Sequence, residues 1–134
     1  MKKTLLTGMA VGILAGMAAL LTEYVVGMTT DLWFEELSPV SILLSCILTN
    51  VVGAVIFQKL DQKTTKAKLY YGFVVGAVTL LTTLNTIFNP PQEQFGVAGH
   101  PVHIIVALLS IWLVPRWMKK NTSIPQENPT AKAN

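Results

Sequence analysis

The chain has 134 residues, of which 51% are hydrophobic and 13% charged, and its formal net charge is +3. That length allows one domain, and a soluble domain so small has too little interior to hide this much apolar surface. A charged share about half the usual one likewise excludes an ordinary soluble domain.

The apolar residues fall in four blocks, at residues 4–28, 39–58, 69–88 and 101–118. None contains Lys or Arg except Arg116 at the end of the last. Each has the length of about 20 residues that a helix needs to cross a bilayer. The sequence therefore predicts an all-α integral membrane four-helix bundle. The first block follows Met1-Lys2-Lys3, as a secretory signal would, but it outruns the apolar core of about 7–15 residues typical of a signal. A retained membrane helix is expected. Cys46, the single cysteine, lies in the second block, where it reads as a small apolar residue.

The first helix carries Gly8, Gly12 and Gly16 at every fourth position, and the second carries Ser41, Ser45, Thr49 and Gly53. Residues four apart share a helix face, and small ones let backbones approach closely. Gly72 and Gly76 continue the pattern in the third helix, and His103, Ala107 and Ser110 in the fourth. All six glycines named are predicted packing positions, within one bundle or between copies.

Glu23 is the one acidic residue inside a block. Seven residues past Gly16, it returns to nearly the same face, and a charge in a membrane helix is a functional candidate by default. Residues 29–38 then connect the first two blocks. They mix Leu32, Trp33, Phe34 and Leu37 with Asp31, Glu35 and Glu36. A short helix on the outer surface would satisfy both sets, with Trp33 and Phe34 as interfacial anchors; a lid over a ligand is the alternative. Ser38-Pro39 is expected to cap and begin the second helix.

The basic residues set the orientation. Lys2 and Lys3 precede the first helix, Lys59, Lys63, Lys66 and Lys68 lie in the second connection, and Arg116, Lys119, Lys120 and Lys132 close the fourth helix and the tail. Four crossings put all ten on one side, and the other two connections hold none. The positive-inside rule makes that side cytoplasmic, so both termini are expected inside, in a multi-pass protein of the cell membrane. These charges are accounted for by anionic headgroups, which argues against a nucleic-acid surface. In the third connection, Asn89-Pro90-Pro91 is expected to stop the third helix and residues 96–99 to form a flexible approach to Pro101. Residues 121–134, with Pro125 and Pro129 among polar residues, read as a disordered tail.

This topology brings Glu23, Ser45, Asn85 and His103 to one level near the outer leaflet, where they are the candidate ligand- or proton-binding cluster. Glu and His together can share a proton. No metal site is assigned, because His100-Pro-Val-His103 lacks the i, i+4 spacing of a helical zinc site. Nor is there a phosphate loop, a nucleophile elbow or a Cys–His set, so no enzyme and no cofactor are expected.

The layout also resembles an uncharacterised bacterial family of small four-helix membrane proteins with no assigned activity. The shared elements are a Gly/Ala-rich first helix, Asn50-Val-Val-Gly53-Ala before a basic inner loop, and a fourth helix running from His103-Ile-Ile-Val-Ala107 to Val114-Pro-Arg116. The resemblance covers residues 4–118 and implies the architecture but no reaction. Small multidrug transporters also have four helices and a first-helix Glu, but Glu23 lies further out and the charge here is one-sided. Three function classes follow: a non-enzymatic ligand- or lipid-binding, sensing or accessory bundle; a small oligomeric transporter or channel using Glu23; and a metal-dependent membrane enzyme. The bilayer is the expected partner, with a homo-oligomer or a membrane protein as further candidates.

Overall fold

A computed structural model describes residues 2–33, 38–91 and 93–122. Phe34, Glu35, Glu36, Leu37 and the tail from residue 123 lie outside the described residues, so the interfacial helix and the disordered tail are not among the features described. The described residues form helices α1 (Lys2–Thr30), α2 (Pro39–Lys63), α3 (Ala67–Phe88) and α4 (Gly96–Thr122). All four are long and apolar enough to cross a membrane.

All four helices outrun their apolar blocks, α2 and α4 by more than a turn. α2 continues to Lys63 because Leu60 packs onto the core while Lys59, Asp61 and Lys63 stay exposed. Only residues 64–66 then remain as the second connection. α4 begins at Gly96, so the expected flexible approach is helical. A turn with Gln94 in the left-handed region (φ 62°) starts it, and the Phe95 carbonyl accepts from the N–H groups of Ala98 and Gly99. Phe95 and Ala98 are buried against Val26 and Leu32, which holds this first turn in place. At the start of α2, Ser38 accepts the Ser41 N–H at 3.3 Å, with Pro39 as the first helical residue.

α1 and α2 run antiparallel with their backbones in close approach. An added Cβ at Gly8 would lie 2.6 Å from Val51 Cα, and one at Gly12 would lie 2.5 Å from Ile47 Cα. At Gly16 the near atom is Leu43 Cδ2, at 2.8 Å. Thr4, buried at the same interface, donates to Gln58 Oε1 at 3.0 Å. α4 covers the other flank of α1, touches α2 across the bundle and meets α3. α1 and α3 thus occupy opposite corners, with α2 and α4 between them.

One cluster ties all four helices at the end where the chain begins: Val11, Ala54, Phe57, Ala67, Tyr71, Leu113 and Val114. A second joins Ala19, Ile42, Cys46 and Val102 further along. The first end also collects the basic residues of all four helix termini. α3 is held most lightly, with only Ala67, Tyr71 and Thr86 buried, near its two ends. Its Gly72 and Gly76 meet nothing within 4 Å. Gly76→Ala should therefore raise the unfolding free energy by up to about 1 kcal/mol through helix propensity alone, measurable as the shift in a detergent unfolding curve.

The exterior is apolar, and the interior combines small and polar residues with a few large side chains such as Phe57 and Tyr71. Leu21 is 65% exposed, Phe73 68% and Leu108 62%, whereas Thr4, Thr7, Ala15, Ala19 and Asn50 are buried. Threonine hydroxyls across the bundle donate to carbonyls four residues back, as at Thr22, Thr49 and Thr79, which satisfies them without water. A soluble protein does not expose so continuous an apolar surface. These features are those of a multi-pass membrane protein.

Candidate functional site

The sparse packing of α3 leaves a partly open cleft of about 460 Å³ between α2, α3 and α4. It is a volume typical of small-molecule sites, which run from about 300 to 1,000 Å³. Each wall follows from helical periodicity. α2 presents Ser41, Ser45 and Thr49, each four residues from the last, then Val52, Gly53 and Ile56. α3 presents Tyr71, Val74, Val75, Val78, Thr79 and Thr82, and α4 presents Val102, His103, Val106, Ala107 and Ser110.

Tyr71 closes the end nearer the basic residues. It is 1% exposed, packs edge-on against Phe57 with 5.4 Å between ring centroids, and sets its hydroxyl where a Cβ on Gly53 would be, 2.7 Å away. Gly53 is thus the residue that lets α3 dock on α2. At mid-depth, Ser110 donates to Asn50 Oδ1 at 2.7 Å, and Asn50 Nδ2 donates to the Cys46 carbonyl at 2.9 Å. Both side chains are buried. This polar bridge pins α4 to α2 behind the cleft. Ser110→Ala should cost about 1 kcal/mol, and a double-mutant cycle with Asn50→Ala should show coupling between the two.

At the other end the lining turns polar. Ser41 and Ser45 have exposed hydroxyls that make no side-chain hydrogen bond among the described residues. Thr49, Thr79 and Thr82 donate to their own helices, leaving oxygen lone pairs free to accept. His103 is half-buried, and its Nδ1 is buried without a hydrogen-bond partner. His100 Nδ1 is in the same state, but His100 packs beside Gly96 rather than on the cleft. Among the described residues no Asp, Glu, Lys or Arg lines the cavity.

Of the four residues predicted to cluster, Ser45 and His103 line this cleft, on α2 and α4. Glu23 is half-buried on α1, which packs on the far side of the α2–α4 seam, and Asn85 is exposed on α3. Neither lines the cleft. Thr79, Thr82 and Tyr71 join it instead, and their signal in the sequence was the third helix's own spacing. Trp33 lies over the end of α1, close to Gly27 and with its ring 6.2 Å from that of Tyr24. Among the described residues no three His, Cys, Asp or Glu side chains come together as a metal site.

These features define a multi-pass membrane bundle with a largely apolar cleft that has no charged lining group among the described residues. Compared with family models, with curated proteins and with solved structures, the chain matches none.

Proposed function

We propose that this protein is a non-enzymatic four-span protein of the cell membrane that binds a small, largely apolar ligand in the cleft between α2, α3 and α4. The observation that carries this reading is the cleft itself, in which apolar side chains, valines foremost, make the greater part of the wall and hydroxyls with one imidazole gather towards one end. Ligand sites commonly combine an apolar wall with a few polar groups that fix orientation. The chemistry of the lining supports binding over catalysis: among the described residues it has no charged group, and no hydrogen bond joins His103 to a serine hydroxyl. Glu23, the residue on which a proton-coupled transporter would depend, stands outside the cleft.

In this reading the basic end faces the cytoplasm, and both termini lie there. The glycine face of α1 then serves close helix packing of the GxxxG kind. The orientation has its own test. In a Cys46→Ser background, a cysteine at Asn89 should react with a membrane-impermeant maleimide on intact cells, and one at Lys66 only after permeabilisation. The reverse pattern refutes the orientation.

For the binding reading, the protein in phosphatidylcholine nanodiscs is photolabelled with a compact, uncharged aryl diazirine and the adducts are mapped by peptide mass spectrometry. Labelling at Val74 and Val78 should saturate with probe concentration, whereas labelling at the lipid-exposed Phe73 and Leu81 should rise linearly. Linear labelling at all four positions would sink the proposal.

A further inference from the structure

The cleft is graded along its length, and the gradient says what kind of molecule fits. From Ser41 to Ile56 it follows α2 for fifteen residues, about 22 Å at 1.5 Å per residue. That is most of a hydrocarbon core about 30 Å thick. Most of its groups with free hydrogen-bonding capacity sit towards one end: the Ser41 and Ser45 hydroxyls, the Thr82 oxygen and the His103 imidazole. The other end, between Val52 and Ile56 of α2 and Val74 and Val75 of α3, is hydrocarbon except for the Tyr71 hydroxyl beside Gly53. The Ser110 hydroxyl at mid-depth is already engaged by Asn50.

Resting on the ligand-binding reading above, we infer that the cleft takes a single-chain amphiphile with an uncharged, hydroxyl-bearing head. The head lies among Ser41, Ser45, Thr82 and His103, and the chain runs towards Ile56. Length favours a chain over a compact ring system, because a compact molecule would leave much of a cleft about 22 Å long unfilled. The partly open side faces the bilayer, so such a molecule enters laterally without crossing water. Charge selects the head. An ionised carboxylate or phosphate in this lining would find no Lys or Arg among the described residues, and burying an unpaired charge is far costlier than burying a hydrogen-bonded hydroxyl. A hydroxyl both donates and accepts, which matches threonine oxygens that only accept beside serine hydroxyls that still have a proton to give.

The test uses the full chain in phosphatidylcholine nanodiscs and a monoacylglycerol with a diazirine late in its chain. Saturable adducts are expected on Ile56, Val74 or Val75. Unlabelled monooleoylglycerol should displace the probe at least about tenfold better than oleate or a lysophospholipid of the same chain. His103→Ala and, separately, Ser45→Ala should each weaken binding about three- to tenfold, the loss of one hydrogen bond. The melting temperature should be unchanged, and Ser45, being exposed, keeps the test decisive if the His103 variant fails to fold. Equal or better displacement by oleate overturns the uncharged head, as does unchanged affinity in both variants. Adducts confined to the level of Ser41 overturn the orientation of the chain. Saturable labelling by the compact aryl diazirine without labelling by the amphiphile overturns this inference while the ligand-binding reading stands. Saturation by neither probe overturns both.

Discussion

Gly12→Ala will destabilise the bundle more than any other single methyl added to it. A Cβ at this position would stand 2.5 Å from Ile47 Cα and 2.9 Å from the Cys46 carbonyl oxygen. Both are backbone atoms, so no side-chain rotation relieves the overlap and α1 must move away from α2. In a membrane, helices are held chiefly by close packing, because lipid is as apolar as leucine and supplies no hydrophobic drive. Separating the most intimate pair therefore forfeits many dispersion contacts at once. The expected cost is about 3 kcal/mol, the upper part of the range for overpacked cores. Gly16→Ala should be milder, because the nearest atom there is the flexible tip of Leu43. Unfolding curves of the two variants and the parent, in one detergent, check the ranking; equal costs at Gly12 and Gly16 would show that the backbones are not in contact.

The second large effect belongs to Tyr71. It is one of only three buried residues on α3, and it carries that helix on Phe57 and Gly53. Tyr71→Ala should cost about 3 kcal/mol, as for a buried aromatic side chain. It should also do what Gly12→Ala does not, which is to free one end of α3 and abolish saturable labelling of the cleft. Tyr71→Phe keeps the ring contact and should retain both properties. Hydrogen exchange that rises specifically in the first turns of α3 in the alanine variant would confirm the local release.

The helices are legible because lipid imposes one requirement on all of them: twenty or so residues without charge, with every backbone group bonded inside the segment. Their ends are less so, because they are set by tertiary contacts. Leu60 continues α2 by packing on the core, and Phe95 starts α4 by packing on Val26. The same distinction governs the site. Position along a span gives depth, and depth alone groups Glu23, Ser45, Asn85 and His103. Which side of a helix faces which neighbour depends on how four cylinders are arranged, and no single helix encodes that. Ser45 and His103 face α3 across the cleft, whereas Glu23 sits on a helix that packs behind α2 and α4. The glycines show the same limit: the spacing of Gly8, Gly12 and Gly16 is that of Gly72 and Gly76, yet only the first set lies against a neighbour in this chain.

The central claim, that the cleft between α2, α3 and α4 is a ligand site, is tested most directly by filling it. Thr79 is half-buried on the α3 wall, and Thr79→Trp places an indole in the cavity without touching the α1–α2 contact. With the compact diazirine in nanodiscs, the account predicts that saturable labelling of Val74 and Val78 disappears in this variant while linear labelling of Phe73 and Leu81 continues and the unfolding midpoint stays near that of the parent. Saturable labelling that persists at full strength with the cavity filled would contradict the account.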